Sequence, residues 1–284
     1  MLLDKPCGIT SARAVAQVKR LLPKKTKIGH TGTLDPLASG LLVMLIGRAT
    51  RLSRYVTGLD KTYTATARFG AVSDTLDAEG EITRLDAPHP DEAAIRSVLP
   101  EFIGDLLQTP PMASALKLEG VRLYELHRRG LTVERQARPV KVHSLAVTGA
   151  DVEQGTATFE ISCTSGTYVR SLIHDIAAAL GSNAYLTALR RHTVGHLTLG
   201  AASTPEDLDA ETITNRIIQP IEVVSHLPVA DVAAGVRRDG VCNGRRLGRL
   251  GVEGSCRVMC EGELLAIYRD EGDGARAEVV LCAG

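Results

Sequence analysis

Aromatic residues are scarce in this chain of 284 residues: they make up 3% of it, and tryptophan is absent. Proteins that hold extended single-stranded nucleic acid stack successive bases on aromatic side chains. The scarcity therefore argues against a stacking surface of that kind.

The chain also lacks a long hydrophobic run. Its longest apolar stretch, GLLVMLIG over residues 40–47, is bounded by Ser39 and Arg48 and is too short to cross a bilayer, so it predicts a buried strand. The first eleven residues, MLLDKPCGITS, have neither a basic start nor a long apolar core. We therefore expect no signal peptide, no membrane association and a cytoplasmic location.

Paired cysteine motifs are missing as well. The six cysteines are scattered and form no CxxC pair, so we expect neither a disulfide nor a zinc framework. A reduced protein is the simplest interpretation. The set comprises Cys7, Cys163, Cys242, Cys256, Cys260 and Cys282.

The chain carries no net charge, because 33 Lys and Arg residues balance 33 Asp and Glu residues. This balance argues against a uniformly basic nucleic-acid binder, but phosphates are met by local patches. Any single basic cluster is most simply a solvated face, whereas four clusters on a neutral protein favour an anionic polymer as partner. The clusters lie in residues 19–27, 122–141, 190–191 and 237–249.

Helical and strand patterns follow one another without regular alternation. Thr10 and Ser11 offer a cap, and Pro23 a stop, for a helix over residues 12–22. Strands clustered with helices but without repeated βαβ units favour an α+β fold. The other predicted elements are helices over 118–130 and 171–180 and strands over 61–70, 140–148, 156–163 and 194–199.

A change of composition near Leu227 and Pro228 predicts a domain boundary. The residues that follow are rich in Gly, Arg and Val, and their pattern indicates short strands joined by glycine turns. We therefore expect a main domain over 1–227 and a small β-rich module over 228–284. A basic insertion is expected within the main domain, at about 112–140.

Residues 27–40, KIGHTGTLDPLASG, predict a structured loop that leads into the buried strand. The loop places the carboxylate of Asp35 between Gly32 and Pro36, with His30 five residues upstream. Such a loop can hold a nucleophile or a general base rigidly against a substrate. An ordinary Asp-Pro turn beside a histidine that binds backbone explains the same residues, and spacing alone favours that turn.

Four sequence blocks give the loop a context. They read GHTGTLDPLASGLL (29–42), LLDKPCGITS (2–11), DKTYTATARFG (60–70) followed by SDTLDAEG (73–80), and SGTYVRSLIHDI (165–176) with ALRR (188–191). Together they resemble the TruB family of tRNA pseudouridine synthases, in the order that the family shows, over roughly residues 2–198. The resemblance implies a mixed, largely antiparallel sheet with flanking helices, a basic flap and a small PUA-like β module.

The resemblance also implies a reaction: isomerisation of uridine to pseudouridine at position 55, in the T-loop of tRNA, by base flipping and without a metal or organic cofactor. The N1–C1′ bond must break, the uracil must turn, and C5 must join C1′. A carboxylate can act as nucleophile, take a proton or stabilise a cationic sugar. The family pattern gives this role to Asp35 and leaves open which bond it makes.

Two further residues match the catalytic pattern of the family. Arg170 matches an arginine beside the aspartate, where it would lower the carboxyl pKa and hold the rotamer. A surface ion pair of little energetic value is the alternative for Arg170. Tyr63 matches the tyrosine that stacks on the flipped base and helps to move the C5 proton, an ordinary strand aromatic being the alternative.

Four residues match positions around the bound nucleotide. Tyr168 and Leu189 correspond to the lining of the uracil pocket, with plain core packing as the alternative. His30 matches a histidine associated with the rearranged T-loop. Lys5 matches a supporting position near the catalytic loop.

Lys117 and Arg122 belong to the basic insertion, which resembles the mobile flap that closes over the T stem-loop in this family. RNA stem-loops are read largely by shape and by phosphate contacts, and a basic flap suits that task. An amphipathic surface helix explains the same residues without RNA.

Three rival functions fit parts of the sequence. A guide-RNA-dependent synthase of the dyskerin type shares the catalytic core, but the basic flap favours recognition of tRNA alone, so we expect no guide RNA. An RNA chaperone without catalysis is disfavoured by the complete set of Asp35, Tyr63 and Arg170. A glycoside hydrolase requires a second acid near Asp35, and the sequence offers no convincing one. We expect a monomer.

Overall fold

The computed structural model describes residues 1–114, 116–118, 120–232 and 236–282, without the side chains of 117, 118, 236 and 237. The helices are α1 (Ser11–Leu21), α2 (Ser53–Thr57), α3 (Glu92–Val98), α4 (Leu123–Arg128), α5 (Val169–Ala179), α6 (Pro220–Val223) and α7 (Val236–Cys242). The strands are β1 (Leu2–Lys5), β2 (Ile28–Thr31), β3 (Ser39–Ile46), β4 (Lys61–Phe69), β5 (Ala71–Ser73), β6 (Ile82–Arg84), β7 (Gly104–Gln108), β8 (Lys117–Leu118), β9 (Val121–Arg122), β10 (Arg138–Asp151), β11 (Thr156–Cys163), β12 (Ala184–Val194), β13 (Leu197–Thr198), β14 (Val229–Asp231), β15 (Gly254–Cys260), β16 (Glu263–Asp270) and β17 (Ala275–Val280).

A mixed sheet of nine strands forms the centre of the molecule. Its strands follow the order β1-β3-β12-β4-β11-β10-β7, with β2 added beside β3 and β13 beside β12. Among the strands of this sheet that the structure describes, only β3 and β12 run parallel to each other. The expected α+β fold with a mixed, largely antiparallel sheet is confirmed.

Strand β3 is buried on both faces, which explains its uninterrupted apolar sequence. Leu42 and Met44 pack into the cluster that includes residues of α1 and α5. Leu41 and Val43 point to the opposite face, where they meet residues of the C-terminal strands β15 to β17. The prediction of a buried strand over 40–47 is confirmed within one residue at each end.

Local sequence signals set the ends of several elements. The Thr10 side chain accepts a hydrogen bond from the backbone N–H of Arg13 at 3.1 Å and begins α1, which ends one residue before the predicted limit. The alternating segment after Asp60 forms β4 as predicted. No helix in the described residues combines the length and the hydropathy needed to span a membrane.

Two predicted elements differ from the structure. The helix expected over 118–130 is confined to α4, because Gly120, with φ of +87°, reverses the chain between β8 and β9. The strand expected over 194–199 is reduced to the short β13, and β12 before it is a central strand of eleven residues. Charged and polar residues interrupt the apolar pattern of β12, so its sequence did not predict a strand.

The C-terminal strands form a second sheet in the order β14-β15-β16-β17 with its own apolar cluster. Glu278 of β17 accepts hydrogen bonds from the hydroxyl of Tyr55 at 2.7 Å and of Ser255 at 2.6 Å. Arg54 adds an ion pair of 3.0 Å to the same carboxylate. Because Arg54 and Tyr55 belong to α2, this carboxylate ties the second sheet to the main one.

The expectation that the chain forms no disulfide is wrong. Cys242 at the end of α7 and Cys282 after β17 form one, with their Cα atoms 5.5 Å apart. The two residues are 40 positions apart in sequence, and α7 packs against β17 to bring them together. Spacing in the sequence does not reveal a pair that tertiary packing creates.

Candidate active site

A cleft of about 1190 Å³ opens over one edge of the helical face of the main sheet. It is bounded by the start of α1, the loop between β2 and β3, the segment between β5 and β6, the first turn of α5, and the insertion that contains α4. Among the predicted site residues, the cleft is lined by His30, Asp35, Arg122 and Arg170. Five segments of the chain therefore contribute to one cavity.

Asp35 and Arg170 form an ion pair at the floor of this cleft. Their closest atoms, Oδ2 of Asp35 and Nη2 of Arg170, are 2.9 Å apart. The Asp35 side chain is 36% exposed, whereas that of Arg170 is 4% exposed. The carboxylate thus faces the cleft while the guanidinium that holds it is buried.

Arg170 connects three segments of the chain. Its Nη1 donates to the carbonyl of Thr75 at 2.8 Å and lies 3.2 Å from Oδ2 of Asp77. Its Nη2 donates to the carbonyl of Ala113 at 2.8 Å, in addition to its contact with Asp35. Because the planar guanidinium fixes the directions of all these bonds, it fixes the three segments relative to one another.

Asp77 is a site residue that the sequence analysis missed. Its buried carboxylate accepts hydrogen bonds from the hydroxyl of Thr75 at 2.7 Å and the backbone N–H of Glu79 at 3.0 Å, in addition to the Arg170 contact. The acidic block SDTLDAEG contained the signal, but nothing in it distinguishes Asp77 from its neighbours. Contrary to expectation, a second acid, Asp77, does lie near Asp35, since both contact Arg170. The hydrogen bonds that Asp77 accepts hold Arg170 in place.

The electrostatics of Asp35 differ from the expectation based on its arginine alone. Burial raises the pKa of the Asp35 carboxyl above its usual range, Arg170 opposes the rise, and the Asp77 carboxylate adds to it. The expected effect of Arg170 on the pKa is present, but it does not decide the net direction. The ionisation of Asp35 therefore depends on the positive charge of Arg170.

Tyr63 lies beneath the loop of Asp35, in β4. Its side chain is 9% exposed and belongs to the main apolar cluster. Burial raises the pKa of the phenol, and the positive charge of Arg191 opposes that rise. Tyr63 belongs to the core and is not among the described residues that line the cleft.

Lys5 is completely buried, and its ammonium group reaches backbone carbonyls on both sides of its turn and in the loop of Asp35. Its Nζ donates to the carbonyls of Pro6 at 2.8 Å and Ile9 at 2.7 Å, and lies 3.4 Å from the carbonyl of Pro36. His30 is half-buried in β2, and burial together with Arg191 lowers its pKa.

Tyr168 and Leu189 are not among the described residues that line the cleft. Tyr168 directly precedes α5, and its backbone N–H and carbonyl bind the side chain of Gln108 at 2.6 and 3.0 Å. Burial raises the pKa of its phenol. Leu189 of β12 is 9% exposed and packs in the main cluster, so its surroundings are those of a core residue.

The insertion presents a basic surface around one aromatic ring. The guanidinium groups of Arg122 and Arg128 lie 5.8 and 5.6 Å from the ring centre of Tyr124, and Arg122 donates to its hydroxyl at 3.1 Å. His127 of α4 lies 3.2 Å from Asp74 on the opposite wall. The side chain of Lys117 lies outside the described part of the structure.

Metal ligands are not grouped in the described ranges: none of their His, Cys, Asp and Glu residues form a set of three or more that could hold an ion.

Comparison with known proteins identifies a family. Residues 19–169 match the family described as TruB family pseudouridylate synthase, N-terminal domain. A protein named tRNA pseudouridine synthase B from Cupriavidus metallidurans is 42% identical over 276 residues, covering 96% of this chain and 87% of the relative. Its namesake from Burkholderia mallei is 49% identical over 216 residues, covering 76% of this chain and 70% of the relative.

Comparison with solved structures agrees on the fold. A crystal structure of a Cbf5–Nop10–Gar1 complex contains a chain similar to this one with a TM-score of 0.69 and 25% identity. The match covers 98% of this chain and 83% of that one.

Proposed function

The chain belongs to the TruB family of pseudouridylate synthases, and from that premise we propose that it isomerises uridine to pseudouridine at position 55, in the T-loop of tRNA. It is an isomerase that acts on tRNA, as its relatives named tRNA pseudouridine synthase B are. The T-loop uridine and the residue roles given below are the proposed part. The Asp35–Arg170 pair at the floor of the cleft carries the proposal.

Asp35 is the proposed catalytic group. Arg170 engages its Oδ2, so Oδ1 is the oxygen available to a uridine turned into the cleft. There the carboxylate assists cleavage of the N1–C1′ bond, either as nucleophile or by stabilising the sugar. The uracil then turns, C5 bonds to C1′, C5 loses its proton and N1 gains one.

Tyr63 is proposed to stack on the turned base and to receive the C5 proton. A phenol can do both, whereas phenylalanine could only stack. Tyr168 and Leu189 are proposed to complete the uracil pocket. His30 is proposed to contact the T-loop where the uridine leaves its stack, since it lines the cleft beside Asp35.

The insertion is proposed to close over the T stem-loop through Lys117 and Arg122. The two guanidinium groups around Tyr124 support this role, because they concentrate positive charge on the wall of the cleft. Phosphates of a stem-loop are the natural partners of such a surface.

We also propose a division into a catalytic domain over 1–227 and a PUA-like module over 228–284. A separate sheet with its own apolar cluster supports this division. The protein is proposed to work as a monomer in the cytoplasm.

Guide RNA is proposed to be unnecessary. The likeness to a Cbf5–Nop10–Gar1 complex favours the alternative of an enzyme that works in a larger particle, whereas the basic insertion favours direct recognition of tRNA. The experiment below decides between them, because it contains one protein and one RNA.

The test is incubation of purified protein with an unmodified tRNA transcript, followed by mapping of pseudouridine. We expect one modified site, in the T-loop, without added guide RNA.

Asp35→Asn should bind the transcript with unchanged Kd and yield no product, because the amide can neither attack nor accept a proton as a carboxylate does. Modification at many positions, or a strict need for guide RNA, would refute the assignment, and turnover by Asp35→Asn would remove Asp35 from the chemistry.

A further inference from the structure

Arg191 of β12 is a buried cation to which the proposed mechanism gives no role. It is 1% exposed, and its partners in the described ranges are the carbonyls of Leu41, at 2.8 Å from Nε, and Gly32, at 3.0 Å from Nη2. It forms no ion pair with a carboxylate of the described residues. Burying a charge without an opposite partner is costly, and such groups concentrate at functional sites.

The two carbonyls bracket the loop that carries Asp35. Gly32 directly follows β2, and Leu41 lies in the first half of β3. A guanidinium is a rigid plane, so two of its N–H groups fix the separation and the direction of both partners. Arg191 therefore holds the two ends of the catalytic loop in a single geometry.

Glycines at both ends of the loop make room for Arg191. A Cβ atom on Gly40 would lie 2.3 Å from the carbonyl oxygen of Arg191, and one on Gly32 would lie 3.4 Å from its Nη1. Both glycines also have positive φ, +100° and +81°. The loop is thus shaped around the backbone and the side chain of this arginine.

Tyr63 is the cross-strand neighbour of Arg191. The two residues are directly paired between the antiparallel strands β4 and β12, so their side chains leave the sheet on the same face. The positive charge lowers the pKa of the phenol against the larger effect of burial. The other groups that act on this phenol are Cys163 and Asp35, and both raise its pKa.

We propose that Arg191 is a positioning residue of the isomerisation, which fixes both ends of the Asp35 loop and sets a positive charge beside the Tyr63 hydroxyl. This inference rests on the proposed function. Tyr63 first loses its phenol proton to solvent, and the phenolate then takes the C5 proton. The electron pair of the C5–H bond restores the C5=C6 double bond, N1 takes a proton from solvent, and Arg191 stabilises the phenolate before the transfer.

The test compares Arg191→Met, Arg191→Lys and the control Arg96→Met in single turnover with saturating enzyme. Arg96 lies on α3, outside the cleft, is 65% exposed and pairs with Glu92. We expect Arg191→Met to lose about 100-fold in rate, the cost of a misplaced catalytic group, with unchanged Kd for tRNA. Arg191→Lys should lose less, because the positive charge remains although the planar guanidinium is gone, and Arg96→Met should keep the wild-type rate.

The dependence of rate on pH separates positioning from mere folding. Removing the charge in Arg191→Met raises the pKa of Tyr63, so the rise of rate with pH should move to higher pH, whereas Arg191→Lys should leave it in place. In the Tyr63→Phe background, Arg191→Met should cost less than it does alone, because the two residues act together.

Three results would overturn the inference: a wild-type rate in Arg191→Met, an unmoved pH profile in that variant, or losses that multiply in the double variant. If Arg191→Met does not fold, the single-turnover rate of Arg191→Lys becomes the test. A wild-type rate in Arg191→Lys would refute the positioning role of Arg191. The wild type and Asp35→Asn, run in the same assay, test the proposed function separately. The Arg191 variants are judged on whichever uridine the wild type modifies.

Discussion

Asp35, Arg170 and Asp77 form a row of alternating charges, in which one buried guanidinium serves two carboxylates. The three residues are not equivalent. Asp35 faces the cleft, whereas Arg170 and Asp77 are buried and bound on several sides. The row therefore exposes one carboxylate to the cleft, whereas the buried carboxylate orients the arginine.

We expect the acid side of the pH–rate profile to depend on Arg170. Burial already raises the pKa of Asp35, and Arg170 is the largest influence that lowers it. Arg170→Gln removes that influence, so the pKa rises further, and the fall of rate on acidification should begin at higher pH. Single-turnover rates measured across the acid limb check this, with Arg170→Lys as the control that keeps the charge. A limb that stays in place in Arg170→Gln would show that Asp35 does not titrate in this step.

Tyr63→Phe separates stacking from proton transfer. The substitution removes one hydroxyl from a buried ring, so the fold and the affinity for tRNA should be retained. The rate should fall by about 100-fold or more, the usual contribution of general acid–base catalysis. The check is a single-turnover assay beside a tRNA binding titration. Unchanged kinetics would leave Tyr63 as a stacking partner only.

The insertion brings positively charged side chains, from a segment distant from Asp35 in sequence, to the wall of the cleft. Its helix α4 is joined to the loop before it by backbone hydrogen bonds, from Leu123 to the carbonyl of Leu116 at 2.8 Å and from Tyr124 to that of Ser114 at 3.1 Å. Ala113, the residue before Ser114, accepts a bond from Arg170. The insertion is therefore linked by hydrogen bonds to the arginine that holds Asp35.

Loss of the two arginines around Tyr124 should weaken the capture of tRNA. Arg122→Ala combined with Arg128→Ala removes two charges from the cleft wall, so Kd should rise, and the slope of log Kd against log salt should fall by about 2. Titration at several salt concentrations measures both quantities. Arg96→Ala, which removes an exposed arginine from α3, is the control and should leave the slope unchanged. An unaltered slope in the double variant would place the RNA elsewhere.

At the scale of the whole molecule, two sheets share an apolar boundary. Leu41 and Val43 from the main sheet and Met259 and Ile267 from the C-terminal sheet belong to one buried cluster. Glu278 adds a polar anchor between the two sheets. The C-terminal strands therefore pack against one face of β3, and α1 and α5 pack against the other.

The Cys242–Cys282 bond should stabilise the C-terminal sheet. It closes a loop of about 40 residues, and the entropy removed from the unfolded chain corresponds to about 4 kcal/mol. Without reductant, Cys242→Ser should therefore unfold at a lower temperature than the wild type. With reductant, the variant and the wild type should unfold at the same temperature. Calorimetry with and without dithiothreitol is the measurement, and Cys7→Ser, at an exposed free cysteine, is the control. Equal transitions without reductant would show that the bond does not form in solution.

Much of the fold followed from the sequence, because periodicity and chain breakers act locally. The apolar run of β3, the alternation of β4 and the Thr10 cap of α1 each depend on neighbours a few residues away. Strand β12 escaped prediction for the opposite reason. Its Arg191 is polar by composition, but it is buried because carbonyls from distant segments receive it.

The sequence by itself determined the candidate carboxylate, its family context and the α+β class, since Asp35, Tyr63 and Arg170 lie in long and specific blocks. Tertiary structure alone decided which side chains meet. It brought Asp77 to Arg170 across 93 positions, Cys242 to Cys282 across 40, and Arg191 to both ends of the Asp35 loop. Contacts of this kind depend on the packing of whole strands and helices, and no local pattern of residues records them.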